Sequence, residues 1–292
     1  MTVAHHNERV AVTGARGYLG SALVAAFTRA GYPVVSLGRQ MPGSSTYFSL
    51  GEKVDPTLLR GVSVLIHAAH DFTLTEPHDI RRVNVEGARK LFNAAIAAGV
   101  RKIIFISSVS SFATSTQLYG QSKYDVERMA RGIGAYVVRP GIIYDDTMER
   151  GLLSKLGMLA RLPIIPLFNG GNQPVLTSHL DDLTALMLAL VNSNERIPHA
   201  PITAAFPKTM TFKSLLVELA RRQKKHPHFV PMPSWLPFLL LRMLELLGFK
   251  PPFRSDAFTG IVKTDPSPDF SLTDAYGIAW RAFNVDPTTD RT

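Results

Sequence analysis

The chain of 292 residues contains no cysteine, which excludes disulfides and thiolate chemistry, and 46% of its residues are hydrophobic, enough for one large domain or two unequal ones. Its net charge is +9, but the basic residues are scattered and no nucleic-acid-binding motif accompanies them, so we expect no nucleic acid partner. The sequence has no apolar run of about eighteen residues and no signal-peptide core, so we expect a cytoplasmic protein without a membrane span.

Short β-branched runs alternate with helical segments through the first half of the chain. We predict strands at 9–13, 33–37, 62–68, 102–107 and 135–138, and helices at 18–30, 80–98 and around Lys123. This alternation is typical of a parallel sheet that is covered on both faces. The sequence therefore predicts an α/β fold with a doubly wound, Rossmann-type sheet, which binds ligands at the carboxyl ends of its strands.

The pattern changes after about residue 145. Prolines cluster there, the alternation fades, and the next clear helix, at 180–191, is expected to pack back on the sheet. We therefore assign a dinucleotide-binding domain to residues 1–145 and about 176–205, and a smaller, mostly helical substrate-binding region to residues 146–175 and 206–292.

Two strongly apolar segments, 152–167 and 235–249, belong to the substrate-binding region. We predict the second as a helix buried against its neighbours. The alternative is a hydrophobic surface for a lipid-like substrate or for peripheral membrane contact.

The segment VTGARGYLG, residues 12–20, follows the first predicted strand and opens the first predicted helix. Its glycines, Gly14, Gly17 and Gly20, provide a tight turn, a close approach to a pyrophosphate and close packing of helix against strand. The free N–H groups at the N-terminus of the helix attract the same anion. The segment therefore predicts a dinucleotide-binding site.

The end of the second strand indicates which dinucleotide is bound. NAD-binding sheets usually place an acidic residue there for the ribose 2′-hydroxyl, whereas this chain has Gly38 followed by Arg39. A guanidinium can bind a 2′-phosphate through two hydrogen bonds, and Arg16 in the phosphate loop can reach the same group. We therefore expect NADP(H) to be favoured as the cofactor, with NAD(H) as the alternative.

Tyr119 and Lys123 lie one turn apart on one face of a predicted helix, and a strand that runs into a serine cluster precedes them. In this order, the motifs resemble those of the extended short-chain dehydrogenase/reductases, the branch of NAD-dependent epimerases and dehydratases. The resemblance runs from residue 9 to about residue 190, and more loosely to about residue 280. It is carried by TGARGYLG (13–20), IHAAH (66–70), the run 82–108, YGQSK (119–123), VRPGIIY (138–144) and SHLDDL (178–183).

The resemblance implies a catalytic triad of Ser108, Tyr119 and Lys123, supported by Asn84. In such a triad, Tyr119 exchanges a proton with a substrate oxygen, and the lysine cation lowers the tyrosine pKa and holds the nicotinamide ribose. Ser108 donates a hydrogen bond that orients the same substrate oxygen.

The resemblance also implies contacts beyond the triad. Cofactor contacts are expected from Gly14, Arg16, Gly17, Tyr18, Leu19, Gly20, Arg39, Ser49, Leu50, Ala68, Ala69, His70, Ser107, Tyr119, Lys123, Pro140, Gly141 and Ile142. Substrate contacts are expected from Phe72, Ser110 and Tyr144, and Ser107 and Ser110 remain rivals of Ser108 for its catalytic role.

Other titratable residues are interpreted as structural. His67 lies inside an apolar strand and is expected in the core, while His179 and the acidic pair at 181–182 are interpreted as the start of a helix, so no metal site is expected. No acidic residue lies between Glu86 and Asp125, which argues against a sugar dehydratase, because elimination of water needs a carboxyl group near the serine.

We therefore expect an NADP(H)-preferring oxidoreductase that transfers hydride between a nicotinamide and a carbonyl or secondary alcohol of a small-molecule substrate. A nucleotide-sugar ketoreductase is the leading assignment. The alternatives are a nucleotide-sugar epimerase with tightly bound NAD, a reductase of a hydrophobic ketone, and a non-catalytic dinucleotide-binding scaffold. The resemblance also leaves a homodimer open, formed through the helices around 82–98 and 119–131.

Overall fold

The computed structural model describes residues 8–39, 47–232, 265 and 267–283, so the apolar segment 235–249 lies outside the described residues. The strands are β1 (Val10–Thr13), β2 (Val34–Leu37), β3 (Val64–His67), β4 (Lys102–Ile106), β5 (Tyr136–Pro140), β6 (Ile142–Tyr144), β7 (Ile164–Phe168), β8 (Pro174–Val175), β9 (Thr177–His179), β10 (Ile202–Ala204), β11 (Met210–Thr211) and β12 (His228–Met232). The α-helices are α1 (Tyr18–Arg29), α2 (Pro77–Ile80), α3 (Glu86–Ala97), α4 (Leu118–Gly132), α5 (Gly151–Leu159), α6 (Leu180–Asn192) and α7 (Phe212–Arg222). A π-helical turn covers Arg81–Val85, and 3₁₀ turns cover Pro56–Leu59 and Asn169–Gly171.

Six strands form one parallel sheet in the order β10-β5-β4-β3-β1-β2. From β1 the chain moves outward to β2 and then crosses back to β3 on the other side of β1, so the strand order reverses there. This reversal leaves a crevice at the carboxyl ends of β1 and β3, where open α/β sheets bind their ligands. The fold is therefore the predicted doubly wound, Rossmann-type α/β sheet.

Alternate residues of each strand face opposite sides of the sheet, and both sides are buried. On β1, Val10 and Val12 join one hydrophobic core with residues of α1 and α6, whereas Ala11 joins a second core with residues of α3. Because these strands are covered on both faces, their sequences are continuous apolar runs. The predicted strand ends accordingly lie within two residues of the observed ones.

The helix predicted at 80–98 begins earlier, at Pro77, and continues through the π-helical turn to Ala97. Proline fits the first turn of a helix because no intrahelical partner is available for a backbone N–H there. The π-helical turn inserts one residue into the helical repeat, which periodicity does not reveal.

The substrate-side region is built around a third hydrophobic core in which α5 and α7 pack together. Leu153, Leu156, Ile165, Leu215 and Leu216 are fully buried there. Short strand pairs accompany the helices: β7 pairs with β12 and β6 with β9 in parallel, and β8 pairs with β11 in antiparallel orientation. The described part of this region therefore contains short strands as well as helices. The sequence pattern did not predict these strands, because they are short and interrupted by proline.

Residues 267–283 run back to the six-stranded sheet, where the Thr273 hydroxyl donates to the carbonyl oxygen of Thr203 on β10. Arg281 pairs with Asp182 on α6 at 2.6 Å, and its backbone N–H donates to the same carboxylate at 2.8 Å. Arg139 on β5 pairs with Asp265 at 3.5 Å. The C-terminal segment thus joins the two parts of the chain. Within the described ranges, every helix is too short or too polar to cross a lipid bilayer.

Candidate active site

The phosphate loop connects β1 to α1 and approaches the loop that follows β3. Gly14 has a φ of 69°, and a Cβ there would lie 3.0 Å from both the Cα and the N of Ala69. A Cβ on Gly20 would lie 2.0 Å from the carbonyl oxygen of Gly14, so only glycine allows α1 to start this close to the loop. The free N–H groups in the first turn of α1 therefore lie next to the phosphate loop, where they can bind an anion.

Thr13, the last residue of β1, fixes the position of the loop after β3. Its hydroxyl oxygen accepts the backbone N–H groups of Ala68 and Ala69, each at 3.2 Å, and lies 2.8 Å from Nδ1 of His67. The Thr13 hydroxyl therefore donates to Nδ1, and the imidazole carries its proton on Nε2. Burial lowers the pKa of His67 to about 3, so the ring is neutral at neutral pH.

A cavity of about 1280 Å³ opens at the carboxyl ends of the strands. Its wall includes the phosphate loop, the ends of β1 to β5, the start of α4 and the start of α5. Every residue that the sequence analysis assigned to cofactor contact lines this cavity, as do Ser108, Phe72 and Ser110. The glycine cradle and the buried Ser107 hydroxyl, which makes no hydrogen bond within the described part of the chain, fit a dinucleotide.

Tyr119 and Lys123 lie on the first two turns of α4, at the inner end of the cavity. Nζ of Lys123 donates to the carbonyl oxygen of Ile106 at 2.8 Å and lies 5.0 Å from the ring centre of Phe105. Burial lowers the pKa of Lys123 to about 7, and the Glu127 carboxylate opposes this shift. Burial also raises the pKa of Tyr119 to about 12.

Ser108 is the serine that engages Tyr119. Its hydroxyl favours the phenolate of Tyr119 and so limits the rise in the tyrosine pKa. The Ser108 oxygen also accepts the backbone N–H of Ser110 at 3.2 Å. Gly120 allows α4 to approach the Ser110 backbone closely, because a Cβ there would lie 2.4 Å from the carbonyl oxygen of Ser110.

Two residues assigned to the site lie outside the cavity wall. The buried Asn84 side chain accepts the N–H of Asp71 at 2.8 Å and donates to the carbonyl oxygen of Asp71 at 3.2 Å, so it holds the loop after β3 instead of touching a ligand. The Tyr144 hydroxyl lies 3.0 Å from the carbonyl oxygen of Ala282, and its ring packs against Phe283. Tyr144 therefore anchors the C-terminal segment, and its assignment to substrate contact stays a prediction.

Sequence reasoning missed part of the cavity wall. Asp71 faces the cavity and lies 3.9 Å from the exposed guanidinium of Arg39. Phe72, which is 69% exposed, stacks on Tyr119 with ring centres 5.6 Å apart. No quoted motif marks several further wall residues, which come from distant segments: Leu74, Ile80, Leu118, Gly151, Leu152, Lys155, Val175 and Leu176.

The His179 region lies at a helix start. Nδ1 of His179 accepts the N–H of Asp181 at 3.2 Å and thereby caps α6. The Asp182 carboxylate accepts a hydrogen bond from the Arg281 guanidinium. Within the described residues, no group of three or more histidine and acidic side chains is placed to hold a metal ion.

Comparison with known proteins agrees with this geometry. Residues 10–131 match the model of the NAD dependent epimerase/dehydratase family. The chain is 33% identical over 194 residues to a ceramide reductase of Caulobacter vibrioides, an overlap of 62% of this chain and 60% of that relative's length. It is 28% identical over 156 residues to a UDP-glucose 4-epimerase of Azospirillum brasilense, an overlap of 44% of this chain and 45% of the relative.

Solved structures share the fold at low sequence identity. The crystal structure of gox2253 matches 96% of this chain and 94% of its own with a TM-score of 0.71 and 21% identity. MoeE5 in complex with UDP-glucuronic acid and NAD matches 77% of this chain and 86% of its own with a TM-score of 0.65 and 20% identity. These likenesses show the doubly wound sheet and the order of its elements.

Proposed function

We propose that this protein is a nicotinamide-dependent oxidoreductase that interconverts a ketone and a secondary alcohol, because residues 10–131 match the model of the NAD dependent epimerase/dehydratase family. The observation that carries the proposal is the placement of Ser108, Tyr119 and Lys123 on the wall of one cavity, with Lys123 buried one turn further along α4 than Tyr119. This set faces a cavity that begins at the phosphate loop.

The residues of the cavity wall support a proposed place for each part of the cofactor. The phosphate loop and the first turn of α1 bind the pyrophosphate, and Lys123 holds the nicotinamide ribose. Gly38 stands where an acid would read a 2′-hydroxyl, and Arg39 and Arg16 line the same end of the cavity, which supports NADP(H). When bound, the reduced nicotinamide supplies the hydride for the substrate carbon.

The protein side of the reaction is a proton transfer from Tyr119. With a pKa of about 12, the phenol is protonated at neutral pH, so it can donate its proton to the substrate oxygen during reduction. Because the Ser108 oxygen already accepts the Ser110 N–H, its O–H remains available to orient the substrate oxygen. A Lys123 cation stabilises the phenolate that forms.

Apolar side chains form most of the wall beyond the triad, and they support a hydrophobic, lipid-like ketone as the substrate. Asp71 is the one acidic residue among the described wall residues, and its carboxylate is engaged by Thr73 at 2.6 Å and faces Arg39. The apolar wall residues are Phe72, Leu74, Leu118, Leu152, Val175 and Leu176. The relative named as a ceramide reductase favours the same substrate class.

The second candidate is the nucleotide-sugar ketoreductase, or an epimerase that keeps NAD bound. The relatives named as UDP-glucose 4-epimerases favour it. Lys155, which lies exposed on the cavity wall, offers a cation for a diphosphate. A hydrophobic cavity wall gives a sugar hydroxyl few partners, so we rank this candidate second.

The experiment that tests the proposal follows consumption of NADPH and NADH by the purified protein. One substrate is a long-chain 3-keto lipid in detergent, and the other is a UDP-4-keto sugar. We expect turnover of the lipid ketone with NADPH. Turnover of the sugar alone selects the second candidate, and tight binding of a dinucleotide without turnover of any ketone selects the scaffold.

A further inference from the structure

We propose that the outer face of the β7–β12 strand pair docks on an anionic lipid surface. We call this surface the apolar face; it consists of Met158, Leu162, Ile164, Pro166 and Val230. The inference rests on the exposure of these side chains and on the cations around them, and it stands apart from the identity of the substrate.

The two strands pair in parallel, with His228 opposite Ile164 and Val230 opposite Pro166. Ile165 and Leu167 are buried on the inner face of the pair. Because side chains alternate along a strand, Ile164 and Val230 point away from that core. Their exposed fractions are 58% and 45%, so this face is apolar although the core does not require it.

The end of α5 extends the same apolar face. Met158 is 49% exposed on the last turn of the helix, and Leu162 is 47% exposed in the connection that leads into β7. The end of α5 and the start of β7 therefore carry exposed apolar side chains along one continuous segment, residues 158–166. This arrangement suits insertion of side chains between lipid headgroups.

Basic residues surround the apolar face. Arg161 lies exposed in the segment itself, and the exposed run Lys224, Lys225 and His226 leads from α7 into β12. Within the described ranges, neither Lys224 nor Lys225 pairs with a carboxylate. Apolar side chains with unpaired lysines beside them fit a negatively charged lipid surface better than a second copy of a chain with a net charge of +9.

The chain provides two further arguments for a lipid surface. Directly after β12 it enters the apolar run 235–249, which begins with Trp235, a residue type enriched at membrane interfaces. In addition, α5 has its first residues on the cavity wall and its last turn at the apolar face. The 9 residues of α5 span about 13 Å, so one short helix separates the cavity from the proposed lipid surface.

Co-sedimentation of the full chain with vesicles tests the proposal. One set of vesicles contains phosphatidylcholine alone, and the other contains phosphatidylcholine with phosphatidylglycerol. We expect binding to the anionic vesicles that weakens as salt is added. Lys224→Gln and Lys225→Gln are each expected to weaken it about fivefold, and the double variant Ile164→Glu with Val230→Glu at least tenfold.

Ile133→Glu is the matched control, because Ile133 is 40% exposed at the C-terminal end of α4, the end that is remote from the cavity. Circular dichroism and urea unfolding show that each variant is folded, which keeps this test separate from the proposed function. Absence of binding to anionic vesicles, equal binding to neutral ones, or equal loss in the control overturns the proposal. If Ile164→Glu instead dissolves a dimer without any vesicle binding, the face belongs to a second copy.

Discussion

Burial shifts the pKa values of the two titratable groups of the triad in opposite directions. It raises the pKa of Tyr119 to about 12 and lowers the pKa of Lys123 to about 7, so both shifts favour the uncharged forms. Near neutral pH, the phenol therefore keeps its proton while the lysine is close to its midpoint. A catalytic acid that holds its proton suits reduction of a ketone, and oxidation of an alcohol needs the phenolate.

Tyr119→Phe tests the proton transfer itself. We expect kcat to fall by roughly 10²–10⁴-fold, because the hydroxyl is the only part removed and general acid catalysis contributes about this much. Steady-state rates with the lipid ketone measure the loss, and fluorescence of the bound reduced cofactor shows whether binding persists.

Tyr124→Phe is the control, because Tyr124 lies on the same helix but outside the cavity wall. Unchanged turnover in Tyr119→Phe would contradict the mechanism, and equal loss in both variants would point to damage of α4.

Arg39→Ala tests how the 2′-phosphate is recognised. Arg39 is exposed, and within the described residues its one ion pair is a loose one with Asp71, 3.9 Å away, so its guanidinium is available for a phosphate. A charge-assisted hydrogen bond contributes about 1.5–3 kcal/mol, so NADPH affinity should fall roughly ten- to hundredfold while NADH affinity stays the same.

Parallel titrations with the two cofactors measure this difference, and exposed Arg60→Ala serves as the control for loss of one positive charge. Equal losses for NADPH and NADH would show that Arg39 does not read the 2′-phosphate. In that case Arg16→Ala identifies whether the loop arginine does.

At the scale of elements, the π-helical turn before α3 connects a helix to the loop beside the triad. It buries Asn84, whose amide makes both of its hydrogen bonds with the backbone of Asp71. The neighbouring residues of that loop, His70 and Phe72, pack around Tyr119 with ring centres 5.1 and 5.6 Å away. Asn84 is thus a positioning residue for the aromatic wall of the site.

Asn84→Ala should therefore weaken catalysis without altering the proton chemistry. Loss of two hydrogen bonds inside the fold is expected to cost about 1–3 kcal/mol in the free energy of unfolding, and the loosened loop should raise KM. Urea unfolding and steady-state kinetics measure the two effects.

Exposed Asn93→Ala on α3 provides the control. A shift in the pH profile of kcat would contradict a positioning role, because it would mean that Asn84 acts on the pKa of Tyr119. Full stability and full activity would remove Asn84 from the site altogether.

The sequence predicted the elements that are buried on both faces and the residues that motifs mark. Strands such as β1 are covered on both faces and therefore appear in the sequence as continuous apolar runs. Gly14 and Gly20 are required because their neighbours lie too close for a side chain, and this requirement appears in the sequence as a glycine motif. The short strands β7 and β12 contain proline and carry apolar side chains on both faces, so their pairing lies in tertiary contacts that no local pattern reports.

The same limit applies to the site. The cofactor side of the cavity comes from loops after consecutive strands, which the doubly wound topology brings to one edge of the sheet. Leu152 and Lys155 on α5 and Val175 on β8 reach the cavity only through the packing of the substrate-side core. Tyr144 is the last residue of the motif VRPGIIY, but its hydroxyl donates to backbone carbonyl oxygens of the C-terminal segment.

At the scale of the whole molecule, the central sheet contains a neutral histidine that affects stability in acid. His67 lies at the end of β3, is fully buried, and packs between the rings of Phe92 and Phe105 with centres 5.7 and 5.6 Å away. Its pKa is about 3 in the folded chain and 6.5 as an ordinary histidine, so the unfolded chain binds an additional proton between these two values. The free energy of unfolding must therefore fall as the pH falls from 6.5 towards 3.

His67→Asn should reduce this dependence, because asparagine cannot take up the proton but offers Oδ1 to the Thr13 hydroxyl. The variant is expected to be less stable at neutral pH, since asparagine fills less of the core. Its free energy of unfolding should nevertheless change less steeply between about pH 6 and pH 5, by up to about 1.4 kcal/mol per pH unit. Urea unfolding over this range measures the slope, with exposed His78→Asn as the control. If the slope of the His67 variant equals that of the unmodified protein, His67 is not the group that keeps the folded chain from taking up a proton, and the neighbouring His70, whose pKa burial also lowers, becomes the one to replace.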